Sequence, residues 1–291
     1  MRKILSIGRI YERLWDNCKY DFEISRLPSV GKIIVPHPYT GKLYYEDREI
    51  NLSDYDAIAL FDRKPISLIL YDLLSPHCLV IGNPKSRRLV CDKVRTSIIL
   101  DNAGINTIPS LYSTGDIPKE VSRTLGKDIV IKPIDGSMGI GVELYRDNSI
   151  PKVYNKIVQE YIECGATDER WIIVDGDVVC AKRRQARVEG EFRTHDRYGG
   201  HSEKIDVTPE MKELGRKVFN CFPGSVWLGI DVFRALSGET YVDEVNSFPF
   251  TKTIEITGHN FFEDIHAYID RVMCENGNPG DKIFVPENRD E

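Results

Sequence analysis

The stretch D-I-V-I-K-P-I-D-G-S-M-G-I-G-V-E-L-Y, Asp128 to Tyr145, decides how this chain is read. Ile129 to Ile131 is an apolar, β-branched run, and Val142, Leu144 and Tyr145 resume a strand-like pattern after the glycines. A Walker A loop and a dinucleotide fingerprint both run from glycines into a helix, whereas Gly136, Gly139 and Gly141 are followed by a strand. The pattern is therefore a hairpin. Its bare backbone N–H groups can approach phosphate oxygens that side chains would hold off. Lys132, at the end of the first strand, places a fixed cation where it can meet the same oxygens. Alone, the stretch reads equally well as a plain glycine-containing hairpin, so the rest of the chain must decide.

At 291 residues the chain has room for about two domains. Its 41% hydrophobic and 29% charged residues are ordinary globular composition. A net charge of −6 gives no support for a nucleic-acid partner. No apolar run approaches the roughly 18–20 residues of a membrane span, and M-R-K-I-L-S-I-G is too short for a signal peptide. Seven scattered cysteines without C-x-x-C read as reduced thiols, with no disulfide or zinc site. The expectation is a cytoplasmic protein with no membrane contact.

Lys3 to Ile7, Asp56 to Phe61 and Cys78 to Ile81 read as core strands, with a helix from Pro65 to Leu74. Strand–helix–strand alternation implies a small α/β domain with a largely parallel sheet. Helical spacing then runs from Pro84 to Gly104 and puts Lys93 in mid-helix. Val158 to Ile162 is a strand, and Trp171 to Ala181 a hairpin turning near Gly176. A basic stretch follows, Lys182 to Arg193. Pro209 to Phe219 is an amphipathic helix with Thr208 as its N-cap. The tail after Gly277 is polar and reads as extended.

The last hairpin, Trp227 to Ala235 and Thr240 to Asn246, carries carboxylates. A two-residue turn at Ser237-Gly238 sets Asp231 opposite Glu244, with Asn246 on the same face and Asp243 on the other. Opposed carboxylates repel, and between apolar strands they call for a cation. Two carboxylates and an amide suit Mg²⁺. An exposed face with solvated acids is the alternative, and a one-residue slip would undo the argument.

Taken together, C-D-K-V-R-T (Cys91 to Thr96), the glycine hairpin, V-Q-E-Y-I, D-E-R (Asp168 to Arg170), A-K-R-R-Q-A-R-V-E-G-E-F-R-T-H (Ala181 to His195), G-I-D-V-F-R and D-E-V-N-S-F-P resemble the ATP-grasp superfamily, specifically its RimK-like carboxylate–amine ligases. The resemblance implies an α/β (α+β) fold of three parts: an N-terminal pre-ATP-grasp domain (1–85), a central domain with the phosphate loop (86–170) and a C-terminal domain with the metal site (171–291). It implies that ATP is bound by Lys93, Lys132, the loop residues Gly136, Ser137, Met138, Gly139 and Gly141, the linker Gln159, Glu160, Tyr161 and Ile162, and Asp168. Asp231, Glu244 and Asn246 match the magnesium ligands, with Mn²⁺ as an alternative metal. Arg184 and Arg193 match arginines near the acyl phosphate. His195 stands where many of these ligases have asparagine, and Phe248, Pro249 and Phe250 replace a small residue, proline and glycine. His195 and Ser247 are thus assigned to the substrate end.

The activity so implied is ATP-dependent amide formation through an acyl phosphate, joining an amino acid to a small-molecule or peptide carboxylate. A protein C-terminus as acceptor and a non-catalytic ATP-binding protein are the alternatives. A homo-oligomer is an implication of family alone. His195 and Glu191 are the candidates for a general base.

Overall fold

The computed structural model describes all residues except 9–11, 17, 36–40, 63, 116, 118–122, 135–138, 148–152, 248–251 and 277–291. The chain divides into two compact units, the first formed by Met1–Arg88, Pro223–Val226 and the described residues from Asn260 on, the second by Leu89–Phe222 and Trp227–His259.

In the first unit the strands are β1 (Arg2–Ile7), β2 (Phe22–Leu27), β3 (Ile33–Ile34), β4 (Lys42–Tyr45), β5 (Arg48–Asn51), β6 (Ala57–Leu60) and β7 (Val80–Ile81). A parallel sheet has the order β2-β1-β6-β7. Such a sheet is covered on both faces, which is why its strands read as apolar runs: Ile4, Leu5, Ile7 and all of Ala57 to Leu60 have no exposed surface. Helix α1 spans Pro65–Leu74 with proline in its first turn, as the sequence predicts. Strands β3, β4 and β5 form a small antiparallel sheet.

The single helix expected from Pro84 to Gly104 is two, α2 (Pro84–Val90) and α3 (Lys93–Asn102). Asp92 is extended, and its carboxylate accepts the Arg95 N–H at 3.1 Å, so it caps a new helix. Lys93 is therefore the first residue of α3 and not a mid-helix residue, and it is buried.

In the second unit, β8 (Ser110–Ser113), β9 (Ile129–Pro133), β10 (Glu143–Tyr145) and β11 (Lys156–Glu160) make an antiparallel sheet of order β10-β9-β11-β8. The glycine-rich stretch is the expected hairpin, pairing Glu143 with Ile131 and Tyr145 with Ile129. A five-stranded antiparallel sheet of order β14-β13-β12-β15-β16 follows, built from β12 (Thr167–Val174), β13 (Asp177–Gln185), β14 (His201–Ile205), β15 (Trp227–Arg234) and β16 (Thr240–Asn246). Asp175 and Gly176, with φ of 52° and 83°, form the tight turn between β12 and β13. Helix α4 (Pro209–Asn220), capped by the Thr208 side chain, buries Met211 and Val218 against Trp171, Ile173 and Val178. Side chains alternate along β12, so Trp171 and Ile173 face this core while Asp168 and Arg170 face the other way. A short helix α5 (Lys252–Thr257) packs on β13 and β14.

The sequence reading passed over α6 (Phe261–Asn276), which belongs to the first unit. Phe261, Ile265, Ile269 and Met273, at four-residue spacing, are buried, and His266 stacks on Trp15. No helix among the described residues is long and apolar enough to cross a membrane.

Candidate active site

A cavity of about 410 Å³ opens on the outer face of the five-stranded sheet, beneath the glycine hairpin. One row of directly opposed residues crosses that sheet: Lys182 on β13, Arg170 on β12, Asp231 on β15 and Glu244 on β16. Opposed residues of antiparallel strands share a face, so all four side chains line the cavity. The next row pairs Asp168 with Arg184.

These charges are interlocked. Arg184 holds Asp168 by a two-point fork of 2.6 and 2.7 Å and reaches Asp231 at 2.9 Å. Arg170 forks onto Asp231 from the other side, with Nη2–Oδ2 at 2.6 Å. Two-point guanidinium–carboxylate pairs fix both position and orientation. Burial pushes the Asp231 carboxyl up, but the guanidinium groups of Arg170 and Arg184 outweigh it and hold it well below the usual carboxylate range. Thr194 adds a hydroxyl to Asp168 at 2.8 Å.

Asp231 faces Glu244 as the hairpin argument predicts, by a different route. The turn is one residue longer than expected: Arg234 pairs with Thr240, and the Ala235 N–H meets the Glu239 carbonyl at 2.8 Å, which leaves Leu236, Ser237 and Gly238 as a three-residue loop. A bulge at Asp243 then restores the register. The bulge turns Asp243 into the cavity, against the expectation that it faces away, and its carboxylate binds the Lys132 ammonium at 2.7 Å. The Lys93 ammonium lies 3.5 Å from Glu244. Burial raises Glu244 above an ordinary glutamate, with Lys93 and Lys132 pulling it down and Asp231 and Asp243 pushing it up.

Asp231, Glu244 and Asn246 all line the cavity. Among the described residues no three His, Cys, Asp or Glu side chains group as metal ligands, and this set has two carboxylates and an amide. Its donors fit a hard cation. Glu244 has one distant lysine, and the Asn246 amide nitrogen is buried without a hydrogen-bond partner, so turning that amide would offer its oxygen to a ligand. Asp231 is the more committed member, held between two arginines.

Gln159, Glu160, Tyr161 and Ile162 line the cavity, with Gln159 Nε2 donating to Ser110 Oγ at 2.9 Å. Gly139 lines it too, and its carbonyl accepts the Tyr198 hydroxyl at 3.1 Å. Gly141, with φ of 70° and packed against Pro133, is not a lining residue. Gly136, Ser137, Met138, Phe248, Pro249, Phe250 and the tail after Gly277 lie outside the described residues. Arg193 stacks over Tyr198, 3.6 Å from the ring centre, and forks onto Glu191 at 2.8 and 2.7 Å. The Arg193 guanidinium and backbone N–H groups bring Glu191 down to about 2, which makes it a poor base. His195 lines the cavity and burial lowers its pKa, while its Nδ1 accepts the Arg197 N–H at 3.1 Å. The neutral ring then carries its proton on Nε2, so it presents a donor and not a base. Ser247 is not a lining residue: it is buried beside Cys91, and its carbonyl accepts the Trp227 indole N–H at 3.0 Å.

The residues that the sequence reading missed are Arg170, Lys182, Asp243, Asp196 and Lys252. Two-residue alternation from Asp168 and Arg184 would have found Arg170 and Lys182. The ion pair of Lys252 with Asp196 joins distant segments and left no local signal.

Residues 90–269 match the family described as RimK-like ATP-grasp domain. A probable alpha-L-glutamate ligase of Aeromonas salmonicida (strain A449) is 31% identical over 237 residues, 75% of this chain and 76% of that protein. Several others of the same name are matched over 63–64% of their length. Among solved structures, the ATP-grasp ligase PsnB complexed with minimal precursor, Mg and ADP superposes with a TM-score of 0.67 at 14% identity, covering 93% of this chain and 97% of that one. A RiPP-associated ATP-grasp ligase of Chryseobacterium gregarium, in complex with ADP and a leader and core peptide, gives 0.68 at 15%, covering 96% and 98%. These likenesses show the fold, which is that of the ATP-grasp ligases.

Proposed function

We propose that this chain, which belongs to the RimK-like ATP-grasp family and is an ATP-grasp ligase forming carbon–nitrogen bonds, joins an amino acid to a carboxylate acceptor through an acyl phosphate made from ATP. The observation that carries the proposal is the charge row of the second unit. Two lysines, Lys93 and Lys132, sit on carboxylates of β16, and two arginines, Arg170 and Arg184, sit on Asp231 beside them.

The acceptor carboxylate oxygen attacks the γ-phosphorus of ATP and ADP leaves. The amine nitrogen then attacks the acyl carbon, phosphate leaves, and the amine loses a proton. Lys93, Lys132 and the Gly139 backbone hold the phosphates, so catalysis is chiefly positioning and charge stabilisation. Glu244, Asn246 and Asp231 would hold Mg²⁺, which when bound neutralises phosphate charge. Arg184, pre-oriented by Asp168, stabilises the acyl phosphate and the oxyanion, with Arg193 beside it. Gln159, Glu160, Tyr161 and Ile162 form the adenine wall.

The relatives' name supports glutamate as the amine substrate. The peptides held by PsnB and the Chryseobacterium gregarium ligase favour a peptide or protein acceptor as a second reading beside a small molecule. The test is ADP release by the purified protein with Mg²⁺ and ATP, across amino acids paired with small-molecule and peptide carboxylates. Release that needs both partners is the expected result. Tight ATP binding with no release for any pair would instead support a non-catalytic nucleotide-binding protein.

A further inference from the structure

Among the described residues seven lysines and arginines line the cavity, and six sit on a carboxylate: Lys93 on Glu244, Lys132 on Asp243, Arg170 on Asp231, Arg184 on Asp168, Arg193 on Glu191 and Lys252 on Asp196. Lys182 is the exception. It is 6% exposed, and among the described residues no hydrogen bond or ion pair ends on its ammonium. Its charged surroundings are Arg184 on its own strand, Arg170 on β12, Asp231 on β15 and Asp196, which Lys252 of α5 already holds. A buried ammonium without a partner is costly, and a methionine would fill similar space without that cost. A charge kept in such a place marks a site for an anion.

The position along the row says which anion. Lys93 and Lys132 gather at β16, the phosphate end. Lys182 is three strands away, about 14 Å between backbones at the usual strand spacing. Arg170 and Asp231, where the acyl phosphate would form, lie between the two ends, and Arg184, on the same strand as Lys182, reaches in to Asp231 at 2.9 Å. Lys182 is therefore placed for a group on the substrate side.

We propose that Lys182 anchors a second, non-reacting carboxylate of the substrate, so that the site selects an acidic amino acid or an acidic peptide residue over its neutral amide. This rests on the ligase reading above, and deepens it by naming a specificity-determining residue.

The first test uses the unaltered protein. Its lysines are labelled with acetic anhydride at pH 8 and Lys182 is read by mass spectrometry, with Mg-ATP, L-glutamate, L-glutamine or the dipeptide glutamyl-glutamate present. Glutamate or the dipeptide should lower Lys182 labelling about tenfold, while glutamine leaves it within about twofold; which of the two protects tells the free amino acid from the peptide. Protection by Mg-ATP alone would make Lys182 a phosphate contact and overturn the proposal, as would no protection by either acidic ligand. Protection by glutamate without ADP release under any substrate pair would sink the ligase reading and leave the carboxylate site standing. The second test is K182M in the ADP-release assay. KM for the acidic substrate should rise about tenfold or more with kcat within about threefold, and use of the neutral amide should not fall. An equal loss for acidic and neutral substrates would count against selection by Lys182.

Discussion

The Asp243 carboxylate meets the Lys132 ammonium at 2.7 Å, and it does so because Asp243 is the extra residue of a strand bulge. Without the bulge, alternation along β16 would aim Asp243 away from the cavity. Both ends of the pair are largely buried. Asp243→Asn should therefore cost about 3 kcal/mol of stability, since it leaves a buried ammonium without a facing negative charge. Mg-ATP supplies new oxygens to Lys132, so the difference in Tm from the parent should shrink when nucleotide is present. Thermal melts with and without Mg-ATP check this. An equal gap in both would argue that Lys132 does not meet phosphate.

Glu244 is the carboxylate of the metal set with most donor capacity left. Glu244→Gln keeps its size and removes the charge that a hard cation needs. ADP release should fall at least about a hundredfold, on the scale of losing one main charge-stabilising contact. Binding of a fluorescent ATP analogue in the absence of Mg²⁺ should change little. Retained turnover in this variant would sink the magnesium assignment.

Arg184 joins two buried carboxylates, Asp168 and Asp231. A lysine can put its point charge beside one of them but cannot fork onto both. Arg184→Lys should lower stability by about 3 kcal/mol, the lower end of the range for breaking a buried pair, since the lysine keeps one of the two contacts. It should also cut kcat far more than it raises KM for ATP, because the adenine wall at Gln159 to Ile162 is separate from this fork. Steady-state ADP release together with a urea melt separates the two effects.

The glycine hairpin, the terminal hairpin and the capped helix at Thr208 were legible because each is a local pattern: turn residues between period-two strands, or a cap before an amphipathic run. The charge row was only half legible. Asp231 and Glu244 come from adjacent strands, so a turn argument reaches them, whereas Arg170 and Lys182 join the row through strand neighbours that no short window contains. Lys93 lines the cavity but stands at a helix start and not in mid-helix, because the Asp92 cap that ends one helix and starts another looks in sequence like one more polar position. Asp243 was lost to the bulge, which breaks the alternation on which the face argument depends. Helix α6 was overlooked although its buried residues keep a four-residue spacing.

The last expectation concerns pH and Lys182. Burial first, then Arg184 and Arg170, bring its ammonium down to about 8 from 10.5. Between those two values the unfolded chain binds more protons than the folded one, so stability rises with pH across that window. Below pH 8 the full penalty of the buried charge is present. Methionine carries no charge, so Lys182→Met should be the more stable protein at pH 7, by on the order of 1–2 kcal/mol once solvent at the cavity mouth is allowed for. The advantage should shrink as pH climbs from 8 and vanish above about 10.5. Paired urea melts of parent and variant at several pH values measure it. A gap that stays constant from pH 7 to pH 10 would mean the effect is packing alone, and Lys182 would then not be the strained cation that the charge row makes it. A gap that closes on schedule, beside a raised KM for acidic substrate, would show stability given up at the position where the substrate's own charge is needed.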